Sequence, residues 1–422
     1  MPETLLPLSL STYPSSPAHP TTLGGATNHL TPPTTPEKPA ENRSSIGSGI
    51  ESLISPPSSG LKKVLTLDGA CGSSEHQAQC KPLPEVPEEP KTYGKKYCII
   101  KELGQGAWSN VYSAFEQTEA LAPSAMPPLT PPISPESKSR SCPNHILAVK
   151  VPSERMAHKV LKKEASILTY LHSWSDAQSY LVPFHGFDYD THTIVMDAIP
   201  TSLEALIKST PRGELSTKTM FDPVIGAETW ASLAEQLIQG LTFIQSVGCI
   251  HGDIKPANVL VRTDEATGDI TPMYCDFSSA RVQPPNTAAS ECEEITAVTK
   301  DYLSPELLVL LLGRNGDRAI ATFASDVFAL AVTLLAAAIG GSPYAGVRME
   351  IQKLSMAKEG VPIEFARQGA NGSRVMKGRA VAKVLGPAIE KSAEKRITVE
   401  AWEGLAKEVL RRWKEGGWTR GG

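Results

Sequence analysis

The stretch HGDIKPANVL, residues 251–260, brings together three side chains suited to phosphoryl transfer. Asp253 can accept the proton of an attacking hydroxyl, and Lys255 can neutralise charge on the transferred group. Asn258 can bind a metal ion through its side-chain oxygen. The apolar residues that follow predict a strand directly after this segment. The stretch therefore predicts a catalytic loop that leads into a strand.

A further acidic residue lies downstream, in YCDFSSAR at residues 274–281. Asp276 comes at the end of a second predicted strand, so it can supply a carboxylate ligand close to Asn258. An amide oxygen, a carboxylate and phosphate oxygens together suit Mg²⁺, a hard cation that retains some of its water. The two stretches predict a Mg²⁺ site that also binds phosphate oxygens.

A glycine-rich turn lies upstream, in LGQGAWSNV at residues 103–111. Gly104 and Gly106 allow backbone N–H groups to approach phosphates, and Ser109 stands where a third glycine is often found. Taken alone, this pattern is also compatible with an ordinary glycine turn between two strands.

The sequence LAVK ends a third predicted strand at Lys150, and the next predicted helix, over residues 155–172, carries Glu164. A lysine on a strand and a glutamate on a neighbouring helix can form an ion pair that directs the ammonium at the nucleotide phosphates. Glu164 could also belong to a solvated helix face, since Lys162 and Lys163 are its neighbours.

In this order, the motifs make residues 97–413 resemble the eukaryotic protein kinase family, of the serine/threonine type. The resemblance implies transfer of the γ-phosphoryl of Mg-ATP to a protein hydroxyl, with Asp253, Lys255, Lys150 and Glu164 as catalytic residues and Asn258 and Asp276 as metal ligands. It also implies a gatekeeper at Met196 and a hinge at residues 197–199. The implied lining of the ATP site is Gly104, Gly106, Ser109, Val111, Ala148, Lys150, Met196, Asp197, Ile199 and Leu260.

The same resemblance assigns structural roles to several other residues. TKDYLSPE, residues 299–306, looks like the end of an activation segment, and Glu306 would pair with Arg396. Asp326 would bind the backbone of the catalytic loop, and His251 would pack against Phe277.

The predicted fold is α+β and two-lobed, with a disordered tail over residues 1–92 and a kinase domain over residues 93–415. Within the domain, a β-rich small lobe covers residues 93–198, with a disordered insert at about 118–144, and a helical large lobe covers residues 199–415. The tail and the insert are rich in Pro, Ser and Thr and have no sustained apolar period, so they cannot bury enough apolar surface to offset chain entropy.

Composition argues against several other classes of protein. The net charge of −4 does not favour nucleic acid or an anionic membrane as the main partner. The apolar run at residues 327–341 is shorter than the ~20 residues that span a bilayer, which predicts a buried helix. Seven cysteines without a CxxC pair indicate reduced thiols and no structural zinc. With no basic region at the start, we expect an intracellular protein of the cytoplasm or nucleus.

Two departures from the kinase pattern bear on regulation and activity. Gly252 stands where many kinases have an Arg that binds a phosphorylated activation loop, so we expect activity to be independent of such phosphorylation. Ser278 replaces the Gly of Asp-Phe-Gly. With Ser109, it leaves open a weakly active kinase or a pseudokinase scaffold.

Two alternatives concern substrate and partners. A small-molecule phosphotransferase often shares His-Gly-Asp, but not Lys255 or the Ser-Pro-Glu of residues 304–306. We therefore expect a protein substrate. The Ser/Thr-Pro sites of the tail and insert could be marks of a proline-directed kinase or a docking element, or low-complexity drift. Cys275 could be a reactive thiol or a small packed residue.

Overall fold

The computed structural model describes residues 83–117, 146–210, 220–283, 299–313 and 318–416. All of them lie within one compact unit, Ala78–Gly422. Residues 1–82 of the predicted tail and the whole predicted insert lie outside the described residues, as do residues 284–298 of the activation segment.

The small lobe is built on an antiparallel sheet of five strands in the order β1-β2-β3-β5-β4. The strands are β1 (Tyr97–Gln105), β2 (Ser109–Glu116), β3 (Ile146–Pro152), β4 (Phe184–Asp188) and β5 (Thr193–Asp197). The first three correspond to the strands predicted around the glycine turn and at Lys150. Because Val111 pairs with Lys150 and Ala148 with Met196, these residues share one face of the sheet.

Helix α1 (Ala157–Leu171) follows β3 and packs against the sheet. Its apolar residues recur at three- and four-residue spacings, and Leu161, Ile167, Leu168 and Leu171 are buried in the main core. The helix predicted at residues 155–172 is therefore confirmed. A second helix, α2 (Ala177–Tyr180), is one turn long.

The large lobe is mainly helical. Its helices are α3 (Leu203–Ser209), α4 (Ala227–Ser246), α5 (Pro305–Leu312), α6 (Phe323–Ile339), α7 (Glu350–Glu359), α8 (Pro362–Gln368), α9 (Ala380–Leu385) and α10 (Val399–Glu415). The predicted two-lobed α+β fold is confirmed: a β-rich first part precedes a helical second part.

Helix α6 lies at the centre of the large lobe. Its residues from Ser325 to Ala338 are buried, and Trp230 of α4 donates an indole hydrogen bond to the Leu334 carbonyl at 2.9 Å. The apolar run at residues 327–341 is thus an interior helix, as predicted. In the described part of the chain, no helix is both long and apolar enough to cross a bilayer.

Two short antiparallel ribbons carry the polar loops. Strands β6 (Cys249–Ile250) and β9 (Arg281–Val282) form one, and β7 (Val259–Thr263) and β8 (Ile270–Tyr274) form the other. The chain between β6 and β7 is the predicted catalytic loop, and the chain after β8 contains Asp276. Because Val259 pairs with Tyr274, the two loops leave the ribbon side by side.

Candidate active site

The backbone of the catalytic loop is fixed by a buried carboxylate of α6. Asp326 accepts the N–H of His251 at 2.6 Å and the N–H of Gly252 at 3.0 Å. Burial raises the pKa of Asp326 to about 7, although both N–H donors oppose the shift. The role that the resemblance implied for Asp326 agrees with this geometry.

Gly252 has a backbone conformation that few other residues adopt. Its φ is +79°, in the left-handed region. A Cβ atom at this position would lie 2.7 Å from the Ser279 carbonyl oxygen. The residue that departs from the kinase pattern therefore lies at a point where a side chain would be both strained and crowded.

Three donors orient the Asp253 carboxylate. Lys255 Nζ and Asn258 Nδ2 lie 2.6 and 3.1 Å from Oδ2, and the Thr299 N–H lies 3.3 Å from Oδ1. Lys255 also donates to the Thr299 hydroxyl at 2.9 Å. Burial raises the pKa of Asp253, while the charge of Lys255 opposes the shift. The carboxylate is held in one orientation, but it is partly desolvated and therefore more basic.

On the small-lobe side, Lys150 joins two carboxylates. Its ammonium lies 2.7 Å from both Glu164 oxygens and 2.7 Å from Asp276 Oδ1. Burial alone would lower the pKa of Lys150, but the charges of Asp276 and Glu164 outweigh it and raise the pKa. Burial raises the pKa of Glu164 to about 6, so this carboxylate is still ionised at pH 7. Glu164 does not lie on a solvated helix face.

Asp276 faces the space between the lobes. Its side chain is 36% exposed, and its φ of +62° is in the left-handed region, which Asp tolerates better than most residues. Burial would raise its pKa, but the Lys150 charge and a hydrogen bond from Ser278 hold that pKa well below its ordinary range. Ser278, the second departure, thus contacts the predicted metal ligand.

The donor set near Asp276 fits Mg²⁺. Cys275, just before Asp276, donates its N–H to the Asn258 carbonyl at 3.0 Å, so the two predicted ligands lie on adjoining chain segments. The Asn258 amide nitrogen is engaged by Asp253, which leaves its side-chain oxygen to face a cation. Asp276 and Asn258 would hold the metal, whose charge would offset that of the nucleotide phosphates.

The loop after β8 is held by contacts of Phe277 with Glu164 and His251. The Phe277 N–H donates to Glu164 Oε1 at 3.1 Å, and the Phe277 ring lies 4.6 Å from the His251 ring, centroid to centroid. Burial lowers the pKa of His251 to about 4, so the imidazole is neutral near pH 7. His251 thus has the packing role that the sequence indicated.

A cavity of about 540 Å³ lies between the glycine turn and the catalytic loop. Its size is within the range typical of sites for small organic ligands. All ten residues predicted for the nucleotide site line it, and so do Asp253, Lys255, Asn258 and Asp276. Glu164 lies behind Lys150 and does not line the cavity.

The sequence missed several of the residues that line this cavity. Trp108, in the turn between β1 and β2, is partly buried and packs against the main core. Val182 and the start of α3 at Glu204 also contribute. Trp108 lies within the glycine-rich turn at residues 103–111, but no motif marks Val182 or Glu204, because their approach to the cavity depends on how distant segments pack.

The family model described as "Protein kinase domain" matches residues 97–407. The chain belongs to the protein kinase family. Two of its curated relatives are serine/threonine-protein kinases by name. It is 27% identical to the serine/threonine-protein kinase ISR1 of Eremothecium gossypii over 219 residues, 48% of this chain and 54% of that protein. It is 25% identical to ISR1 of Saccharomyces cerevisiae over 263 residues, 58% of this chain and 51% of that protein.

A further relative is mitogen-activated protein kinase kinase 10 of Arabidopsis thaliana, 31% identical over 137 residues, or 32% of this chain and 40% of the relative. The chain spans about half the length, or less, of these curated relatives.

The end of the activation segment is anchored as the kinase resemblance implied. Arg396 Nη1 and Nη2 lie 3.0 and 3.2 Å from the two Glu306 oxygens, and Nη1 also donates to the Ala324 carbonyl at 2.7 Å. The Arg396 side chain is fully buried. This bidentate pair ties α5 to the start of α6.

Cys275 is partly buried and lines the cavity. Burial raises the pKa of its thiol, and the neighbouring Asp276 charge adds to the effect. Because the thiolate is the reactive form, the raised pKa argues against a reactive thiol even though the side chain lines the cavity.

Proposed function

We propose that this protein is an active serine/threonine protein kinase that transfers the γ-phosphoryl of Mg-ATP to protein Ser or Thr hydroxyls. The observation that carries the proposal is the meeting of two polar clusters at one cavity. Lys150, Glu164 and Asp276 form the first cluster. Asp253, Lys255 and Thr299 form the second. Every residue type that the chemistry requires is present.

In the proposed reaction, a substrate hydroxyl attacks the γ-phosphorus, and the bond from that phosphorus to the bridging oxygen of ADP breaks. Asp253 orients the hydroxyl and takes its proton, helped by a raised pKa. Lys255 lies 2.6 Å from Asp253 and steadies the charge of the moving group. Lys150, fixed by Glu164, holds the phosphates.

The second cluster favours a protein substrate over a small molecule. Lys255 contacts both the catalytic carboxylate and Thr299, which begins the segment that ends at the Arg396–Glu306 pair. This anchored segment can shape a groove for a peptide. We therefore propose that Ser and Thr of protein substrates are the acceptors. We also propose that the protein acts in the cytoplasm or nucleus.

We further propose that activity does not require phosphorylation of the activation segment. Gly252 offers no guanidinium to bind a loop phosphate, and a side chain at this position would meet Ser279. The test compares phosphatase-treated protein with untreated protein and expects equal activity. Inactivity that is restored by a loop phosphate would overturn this part of the proposal.

The function itself is tested with full-length protein and Mg-ATP on a Ser/Thr peptide library. We expect phosphate transfer that is abolished by Asp253→Asn and by Asp276→Ala and retained by Asp269→Asn, a change at an exposed residue. Nucleotide binding without transfer in any condition would favour a pseudokinase scaffold, and transfer only to small hydroxyl compounds would favour the phosphotransferase.

A further inference from the structure

Residues 83–93, just before β1, form an ordered flanking segment on the outside of helix α1. The sequence assigned most of them to the disordered tail, because KPLPEVPEEP has no apolar period. Pro90 is nevertheless buried, and Val86 packs against the main core. These contacts come from distant parts of the chain and leave no local signal.

The end of the segment pairs with the sheet. Strand β4 is the edge strand, and its Phe187 exchanges backbone hydrogen bonds with Lys91 and Tyr93 at 2.7 and 2.8 Å. Gly186 makes this approach possible, since a Cβ there would lie 2.7 Å from the Tyr93 nitrogen. The segment thus covers an otherwise open sheet edge.

The middle of the segment contacts one stripe of α1. The Lys91 N–H donates to the Thr169 hydroxyl at 2.9 Å, and the Ser166 hydroxyl donates to the Glu88 carbonyl at 3.4 Å. Lys162 forms an exposed ion pair with Glu89 at 2.8 Å. Residues 162, 166 and 169 are spaced by four and three, so they share a face of the helix.

The segment also joins this helix to other parts of the kinase. The Tyr189 hydroxyl donates to Glu89 at 2.7 Å and to the Pro90 carbonyl at 3.1 Å. At the other end, Leu83 lies against Gly248, where an added Cβ would be 3.0 Å from its methyl group. Gly248 directly precedes β6 and the catalytic loop. The segment therefore contacts α1, the sheet edge and the large lobe.

We propose that the flanking segment is a positioning element that holds α1 where Glu164 pairs with Lys150. The inference rests on the proposed function. Glu164 is carried by α1 and must reach a buried ammonium, so any shift of the helix separates the pair. Because Gly252 replaces the arginine that would bind a loop phosphate, phosphorylation of the activation segment cannot hold α1 in place through that contact. We infer that the flanking segment holds α1 instead.

The exposed ion pair contributes little to this constraint, since such pairs are weak. The backbone bonds and the burial of Pro90 and Val86 contribute most of it. The informative variants are therefore Thr169→Val, which removes the acceptor for Lys91 but keeps the side-chain shape, and Lys91→Pro, which removes the donor. Glu85→Ala, at an exposed residue of the same segment, is the control.

In the full chain, we expect Lys91→Pro to lower kcat for peptide phosphorylation by about ten-fold, which corresponds to about 1.4 kcal/mol in the barrier, and Thr169→Val to lower it less. Glu85→Ala should leave kcat unchanged. The decisive measurement repeats Lys91→Pro in a Glu164→Gln background. Positioning through Glu164 predicts that the second change then has almost no further effect.

Hydrogen exchange provides a readout that needs no activity. Amides of α1 should exchange faster in Lys91→Pro, while those of α4 stay protected. Unchanged exchange in α1, an increase in kcat, or an equal loss of kcat with and without Glu164 would overturn the inference. If the wild-type protein transfers no phosphate, the proposed function fails, and exchange in α1 alone decides this inference.

Discussion

Gly252 and Ser279 approach so closely that a Cβ on the glycine would lie 2.7 Å from the serine carbonyl oxygen. The glycine also has a φ of +79° and donates its N–H to Asp326. The tight approach connects the catalytic loop with the loop that carries Asp276. Replacing this glycine therefore combines backbone strain with a steric clash.

The first prediction separates these two effects. Gly252→Ala should destabilise the folded state by about 1–3 kcal/mol more than Gly268→Ala, the extra cost being that of overpacking. Gly268 has a similar φ of +76°, but nothing lies within 4 Å of an added Cβ, so its replacement causes strain alone. Urea unfolding of both variants measures the difference. Equal destabilisation would show that the loops adjust freely.

A second prediction concerns the buried cation. Lys150→Met leaves Glu164 buried without its ammonium partner, which we expect to cost roughly 3–5 kcal/mol of folding free energy. It should also abolish phosphate transfer. The control is Lys407→Met, which removes a half-exposed partner of Glu403 and should change stability little. Thermal and urea unfolding give the comparison. A Lys150→Met protein of wild-type stability would contradict the buried pair.

A third prediction follows from the titration of Glu164. Its folded-state pKa, about 6, is higher than its ordinary value of 4.5 because of burial, so the folded protein protonates it first as pH falls. The charged pair with Lys150 is present above pH 6 and lost below it. The activity ratio of wild type to Glu164→Gln should therefore fall several-fold between pH 7 and 5. The nucleotide and Asp253 titrate in both proteins, so their effects cancel in this ratio. A ratio that does not change with pH would contradict the raised pKa of Glu164.

Thr299 provides a fourth prediction. Its hydroxyl accepts a hydrogen bond from Lys255 at 2.9 Å, and its N–H binds Asp253. Thr299→Val removes only the hydroxyl and should lower kcat by roughly 10- to 100-fold, the range for a hydrogen bond to a charged group. Thr299→Ser retains the hydroxyl and should keep most of the activity. Steady-state kinetics measure kcat for both variants. Similar losses of kcat in both would show that packing at residue 299, and not the hydroxyl, causes the loss.

A fifth prediction concerns thiol reactivity. Burial raises the pKa of Cys275, so little thiolate forms near pH 7. Iodoacetamide should modify Cys275 more slowly than Cys98, although both cysteines are partly exposed, as followed by peptide mass spectrometry. Mild denaturant should remove the difference. Fast labelling of Cys275 in the folded protein would restore the reactive-thiol interpretation.

The spacing of residues along the chain was enough to predict the local elements and to propose the chemistry. An apolar period predicted α1 and an apolar run predicted α6, and the polar motifs selected Lys150, Glu164, Asp253, Asn258 and Asp276 as candidate members of one site. The elements could be predicted because helix and strand periods are local properties. The candidate site residues could be selected because phosphoryl transfer requires few residue types in a fixed order.

Other features were decided only by tertiary packing. The strain at Gly252, the inward packing of Trp108 and the ordered path of residues 83–93 all depend on neighbours far away in sequence. Gly186 looks like any glycine in a strand until the Tyr93 backbone is seen against it. The sequence by itself determined the elements and the candidate reactive groups, because both depend on local periods and residue types. Tertiary structure alone decided which backbones meet, because contact between distant segments has no local period.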